Sequence, residues 1–249
     1  MPPHISIEQV GDVAVVRIDR APANALDLEL LAEGHAVREQ LSSSPPGAVV
    51  ITGREQFFSA GVDLKTAPTL TQGQQRDTVD GINRLFAGWY AFPRPVVAAV
   101  NGHAIAGGLI LALCADYRVC ATEGKLGLTE LRAGIPYPVA AISVVRAELA
   151  PPAARRLALG AQLVDPAEAL ALGAVDELRP RAEVLPRAIE VAAAMAGLPR
   201  AAYKQVKRQL RGPTIESIDR ALAGGAGDPV LGSWITEETR DAAERLLGS

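Results

Sequence analysis

Cysteine, histidine and aromatic residues are scarce in this chain of 249 residues: two cysteines, three histidines and an aromatic content of 4%. Cys114 and Cys120 lie in apolar surroundings without metal-ligand company at a useful spacing. Reduced core thiols are therefore expected rather than a disulfide or a metal site. His4, His35 and His103 form no metal-binding array, so no metal is expected. The sequence also lacks a GxSxG nucleophile elbow and a GxxxxGK[ST] phosphate loop, and residues 102–107 do not give GxGxxG. Positive charge is not in excess, with 25 Lys and Arg against 28 Asp and Glu and a net charge of −3. That balance lacks the basic footprint of a nucleic-acid partner. No apolar run reaches the ~18 residues of a membrane span, since the stretch around Leu109 and Leu113 is interrupted by Asp116 and Arg118. The opening MPPHISIEQVGDVAVV has no basic segment followed by an apolar core, so no secretory signal and a cytoplasmic protein are expected.

What is present is an ordinary globular composition, 49% hydrophobic and 21% charged, on a length that suits one large domain or a domain with an appendage. Residues 13–18 are β-branched and bounded by Gly11-Asp12 and by a turn at 19–22, and read as the first strand. Residues 27–41 carry apolar positions at helical spacing behind Asp27 as N-cap. Residues 48–52 and 96–100 read as buried strands, 72–91 as a helix stopped by Pro93-Arg94-Pro95, and 116–121 and 125–128 as further short strands. This alternation predicts an α/β architecture. The last ~60 residues read instead as helices over 185–196, 200–211, 215–222 and 236–247. Their expected breaks are Gly197-Leu198-Pro199, Gly212-Pro213 and Gly224-Gly225-Ala226-Gly227.

An internal echo carries the functional signal. The segments 48-AVVITGREQFFSAGVDL-64 and 96-VVAAVNGHAIAGGLIL-111 share one order: strand, glycine, polar turn, small residues, then an Ala-Gly pair where a helix can start. Glycine there lets a ligand approach the backbone closely, and free N–H groups at the following turn favour negative charge. Two such turns can converge on one oxygen atom, the arrangement that stabilises an oxyanion.

The strings NALD (24–27), FFSAGVDLK (57–65), PRPVVAAVNGHAIAGG (93–108) and GLTELRAGIP (127–136) resemble the crotonase, or enoyl-CoA hydratase/isomerase, superfamily. The similarity spans roughly residues 5 to 180. It implies a spiral of repeated ββα units over residues 1–185, holding an acyl-CoA site, and a helical C-terminal region over 186–249 that assembles trimers or dimers of trimers. It implies an acyl-CoA thioester as substrate, no separate cofactor, and a thioester enolate held by the backbone N–H groups of Val62 and Gly107. Family contacts to CoA fall on Ala60, Leu64 and Lys65. Of two family acid/base glutamates, one corresponds to Glu130; the position of the other is Ile110.

Isoleucine neither holds water nor moves protons, whereas hydration of a conjugated thioester is a task for two carboxylates. A shift of a double bond needs only one, so the resemblance implies an isomerase-type reaction, with a weaker hydratase-type reaction beside it. A dry wall at Ile110 is expected to raise the pKa of Glu130. After Gly134 the family's glycine-rich string is replaced by 135-IPYPVAAIS-143, placing Tyr137 between two prolines beside the acyl pocket. Two rivals stand beside the isomerase: a crotonase-fold decarboxylase or other enolate-forming enzyme using Tyr137 or His103, and a non-catalytic acyl-CoA-binding protein. Asp63 is expected as a turn ligand, His103 as a local hydrogen-bonding group, and 204-KQVKRQLR-211 as a solvated helix face, with contact to CoA phosphates as the alternative.

Overall fold

A computed structural model describes residues 3–223 and 227–247. The glycine-rich break expected at 224–227 lies mostly outside those residues. In chain order the elements are β1 (Ile5–Val10), β2 (Val13–Ile18), α1 (Leu28–Ser43), β3 (Ala48–Thr52), β4 (Phe57–Ser59), α2 (Gln72–Tyr90), β5 (Val96–Val100) and β6 (His103–Ile105). There follow α3 (Gly107–Leu113), β7 (Tyr117–Ala121), β8 (Leu126–Gly127), α4 (Val139–Glu148), α5 (Pro151–Ala154), β9 (Leu163–Val164), α6 (Pro166–Ala171) and β10 (Glu177–Arg179). Three helices close the chain: α7 (Arg181–Ala196), α8 (Arg200–Leu222) and α9 (Glu237–Leu247).

Two sheets result. The larger has the order β1-β2-β3-β5-β7-β10, and the smaller β4-β6-β8-β9. Strands β3, β5 and β7 run parallel in the first sheet, and each is followed within a few residues by a strand that runs parallel to its counterparts in the second. This is the spiral of ββα units that the family resemblance implied. The β3 and β5 strands read as continuous apolar runs because both faces of the sheet are covered. On one face Val184, Ala188 and Ala192 of α7 pack against Val13, Val50, Val97 and Val119. On the other, α1, α2, α3 and α4 share one large core with Ile51, Ala98 and Val100.

Local chemistry sets the helix starts. Asp27 accepts a hydrogen bond from Leu30 N at 2.9 Å, as its position before an apolar periodicity predicted. Thr71 and Gln74 form a reciprocal capping box at the start of α2. The first strand is not residues 13–18 but Ile5–Val10, an antiparallel edge strand joined to β2 through Gly11, whose φ is +60°. Its sequence ISIEQV buries only Ile5, so it lacks the buried, β-branched run that marks β2 and β3.

Two further expectations change in the C-terminal helices. The break at Gly212-Pro213 does not occur, and α8 runs continuously from Arg200 to Leu222. Proline removes one ladder hydrogen bond, but Lys207 and Arg211 before it and Ile218 after it are all buried, anchoring both halves. Nor is 204–211 a wholly solvated face. Lys204 and Arg208 are exposed, while Lys207 and Arg211, one turn apart, face inward. The Lys207 ammonium lies 2.7 Å from Asp116 and 3.1 Å from the Arg94 carbonyl. Arg211 donates to the carbonyls of Cys114 and Ala115 at 2.8 Å, just past the end of α3, and its guanidinium sits 4.2 Å above the Tyr90 ring. Arg118 completes the group by pairing with Asp176 and Glu148. Three cations thus meet three carboxylates where the helical region joins the core.

A buried fork of this kind does not tolerate a point charge. Arg211→Lys loses the planar donor set and is expected to cost about 2 kcal/mol. Calorimetry should then show a melting temperature lower by roughly 4–8 °C; an unchanged value would mean the fork contributes no net stability. Cys114 and Cys120 are free and buried, as expected. No helix among the described residues is long and apolar enough to cross a membrane.

Candidate active site

The two glycine motifs end up side by side. Strand β4 pairs with β6 in parallel, with Phe57 opposite His103 and Ser59 opposite Ala104, so the residues that follow each strand leave the sheet together. The NALD segment locks the first motif. Buried Asn24 donates through Nδ2 to the carbonyls of Phe57 and Phe58, both at 3.1 Å. Leu26 bridges across Val62: its N–H donates to Gly61 O at 2.7 Å and its carbonyl accepts from Asp63 N at 3.1 Å. In such a parallel bridge the intervening residue's own N–H points away, and Val62 N–H has no acceptor among the described residues. No helix begins directly after Ala60-Gly61; the chain instead turns through Asp63, whose carboxylate accepts from Lys65 N at 3.0 Å, before a short 3-10 turn at Ala67–Thr69.

The second motif does open a helix. Gly107 is the first residue of α3, so its N–H precedes the helical ladder and is likewise without an acceptor. Ala106 before it is held at φ +52°, a conformation alanine rarely adopts, with its N–H bonded to Gly127 O at 2.7 Å. The motifs touch backbone to backbone. A Cβ on Gly61 would fall 2.9 Å from Gly107 N and 2.9 Å from Ile105 O, and one on Gly108 would fall 2.1 Å from Ser59 O. Two unpaired N–H donors in adjoining turns suit a developing negative oxygen.

Val62 and Gly107 line one cavity of about 240 Å³, together with Ala60, Leu64, Ile110, Glu130 and Tyr137. Lys65 does not line it and is exposed at its own turn. A second cavity of about 260 Å³ shares Leu26 and Val62 with the first and extends past Asp63, Thr66 and Leu70. Ile110 is buried one turn into α3. Glu130 opens a short 3-10 turn, Glu130–Ala133, that ends on Gly134 at φ +64°.

Glu130 is the only carboxylate among the described residues lining the cavity. Its Oε2 is buried and finds no hydrogen-bond donor. Burial pushes its carboxyl up to about 7, partly opposed by its own backbone N–H and by the Tyr137 hydroxyl. Burial, and then the neighbouring Glu130 charge, push the Tyr137 phenol upward. It therefore stays protonated, with one proton to donate either to the Glu130 carboxylate or to Leu128 O, 3.5 Å away. His103 lies outside the cavity, stacked on Phe57 with ring centres 4.9 Å apart. Its Nδ1 accepts from Lys125 N at 3.2 Å, the local role expected of it. Lys207 and Arg211, held by Asp116 and by the Cys114 and Ala115 carbonyls, are not free to meet a phosphate.

Several lining residues escaped the sequence reading. Ile82 and Phe86 sit one turn apart on the buried face of α2, a spacing visible in the sequence without saying which cavity it serves. Trp234 arrives from the C-terminal segment, and nothing local marks it.

Residues 8–225 match the family model described as enoyl-CoA hydratase/isomerase. A putative enoyl-CoA hydratase of Thermus thermophilus is 38% identical over 191 residues, covering 75% of each chain. Among solved structures, a Mycobacterium tuberculosis enoyl-CoA isomerase superposes with a TM-score of 0.83 at 30% identity, over 88% of this chain and 96% of that one. Human mitochondrial delta3-delta2-enoyl-CoA isomerase gives 0.88 at 25% identity, over 98% and 97%.

Proposed function

The chain belongs to the enoyl-CoA hydratase/isomerase family, and from that premise we propose that it is a double-bond isomerase of acyl-CoA thioesters with Glu130 as its one acid/base. The observation that carries this reading is a single buried carboxylate, pushed up to about 7, in a cavity where Ile110 offers no second proton carrier. A carboxyl held near neutrality both takes and returns a proton, because neither direction is strongly uphill.

In this reading Glu130 removes a proton from the α carbon of a 3-enoyl thioester. The C–H electron pair moves into the bond between the α carbon and the carbonyl carbon, and the carbonyl π pair moves onto oxygen. The resulting enolate oxygen is held by Val62 N–H and Gly107 N–H. As the carbonyl re-forms, the α–β double bond forms and the former β–γ π pair takes the proton from Glu130 at the γ carbon. Apolar walls at Ile110, Leu26 and Ile135 keep water from the intermediate. Ala60, Leu64 and Lys65 are assigned to the CoA portion. Transfer of one proton between two carbons needs no cofactor beyond the thioester carbonyl. The exposed Val206 and Leu210, one turn apart on α8, are assigned to the interface of a homotrimer or dimer of trimers.

Incubation with matched 3-enoyl- and 2-enoyl-CoAs tests the reaction. Formation of the conjugated thioester from the 3-enoyl substrate is expected, with hydration of the 2-enoyl substrate slower by ~10²–10⁴ for want of a second carboxylate. Binding without conversion of either substrate would instead indicate an acyl-CoA-binding protein. Turnover of a malonyl-type CoA that is lost in Tyr137→Phe would indicate a decarboxylase.

A further inference from the structure

Helix α4 opens directly after Tyr137-Pro138, and no side chain of its own caps it, because Pro138 holds the cap position. Its first two N–H groups are met instead by side chains distant in sequence. Val139 N donates to Asp228 Oδ2 at 2.7 Å, and Ala140 N donates to Asn83 Oδ1 at 2.9 Å. The two side chains are themselves joined, with Asn83 Nδ2 donating to the same Asp228 oxygen at 2.8 Å. Asp228 Oδ1 accepts in turn from Val230 N at 2.9 Å. Asn83 lies on α2 and Asp228 follows α8, and both are buried. A carboxylate at a helix start satisfies unpaired donors and complements the helix dipole.

This clasp holds a wall of the cavity. Tyr137 stands two residues before Val139, between Pro136 and Pro138, whose rings fix φ on either side of it. Pro136, Tyr137, Pro138 and Ala141 line the cavity with Glu130, whereas Asn83 and Asp228 do not reach it. The Tyr137 hydroxyl is the one other side chain that bears on the Glu130 carboxyl, and its hydrogen bond favours the carboxylate against burial. Arg132, the one cation lining the cavity among the described residues, does not bear on it. Nor do Glu237, Glu238 and Asp241 of α9, the helix packed against the Glu130 turn. With Leu128 O 3.5 Å away as a second acceptor, a small displacement of the phenol decides which group it serves.

We propose that Asn83 and Asp228 are positioning residues for the proton transfer: by clasping the start of α4 they keep the Tyr137 hydroxyl on Glu130. This rests on Glu130 as the acid/base of the proposed reaction. Both residues act through Tyr137, so removing either has the consequence of removing the phenol's proton.

Difference infrared titration tests this, because the protonated carboxyl band, identified by its loss in Glu130→Gln, gives the Glu130 midpoint without reference to turnover. Asn83→Ala removes both of its bonds, and Asp228→Asn offers three donors a single acceptor oxygen. These two variants and Tyr137→Phe are each expected to raise the midpoint by about one pH unit. The same change lowers kcat/KM in mild acid about tenfold. In the double variant of Asn83→Ala with Tyr137→Phe, the midpoint is expected to match that of Tyr137→Phe alone. Arg211→Lys, destabilising but outside the cavity, is expected to leave it unmoved. A lowered melting temperature with an unmoved midpoint in Asn83→Ala would overturn the proposal, and that variant decides where Asp228→Asn fails to fold. An unmoved midpoint in Tyr137→Phe, or shifts that add in the double variant, would overturn it too. Midpoints that move as expected in a protein converting no 3-enoyl-CoA would leave the positioning role standing and sink the isomerase reading.

Discussion

Glu130→Gln is expected to lower the isomerisation rate by ~10²–10⁴ while making the protein more stable above neutral pH. The two effects have one cause. In the folded chain burial raises the carboxyl from its ordinary 4.5 to about 7, so the native state holds this proton more tightly than the unfolded chain. The stability tied to the protonated form is fully present below the unfolded value of 4.5 and is lost as pH rises through about 7. Above that, the native protein carries a buried, under-solvated carboxylate at a cost on the order of 3 kcal/mol. Glutamine keeps the shape and never ionises. Urea unfolding should therefore give similar stabilities for the two proteins in mild acid and a widening gap in favour of Glu130→Gln toward alkaline pH. Parallel stability curves would show that the carboxyl is not desolvated as the structure has it. In the native enzyme, kcat/KM should rise with pH through about 7, since the proposed reaction begins from the Glu130 carboxylate.

Gly61→Ala is expected to reduce kcat by ~10²–10³ with little change in KM, because the two N–H donors matter most when charge develops on the oxygen. The added Cβ would lie 2.9 Å from Gly107 N, Ala106 Cβ and Ile105 O, all on or beside the partner turn, at a residue whose φ is +77°. The two turns must separate, and one or both donors leave their place. Alanine at positive φ adds a backbone cost of about 1–2 kcal/mol. Gly11→Ala is the control: its φ is +60°, but nothing lies within 4 Å of the added Cβ. It should show the backbone cost in a melting curve and unchanged turnover. Equal losses of rate in both variants would mean that general destabilisation, not displacement of the donors, explains the result at Gly61.

The strands over 48–52 and 96–100 were legible because their β-branched and small apolar residues run unbroken between glycine and proline, and the structure places them at those residues. The glycine pairs were legible because they repeat after two similar strands. Glu130 and Ile110 were legible only against the family pattern, since neither stands in a distinctive local context. The edge strand β1 was missed because five of its six residues are not buried and supply little apolar signal. The inward turn of Lys207 and Arg211 was not legible for a different reason. A lysine and an arginine one turn apart look like any solvated face until their partners are known, and the partner of Lys207, Asp116, is 91 residues away.

The sequence by itself determined the buried strands over 48–52 and 96–100, the capped start of α1 at Asp27, and the two similar glycine turns that follow those strands. These depend on φ/ψ preferences and periodicity over a few residues. Only the tertiary structure decided that Leu26 leaves the Val62 N–H unpaired, that α8 continues through Pro213, that two basic side chains turn inward, and that Trp234 is fully buried beside residues far from it in the chain. Each of these depends on desolvation and on hydrogen-bond partners distant in sequence, and the free energy of burying a polar group is set by what surrounds it in space.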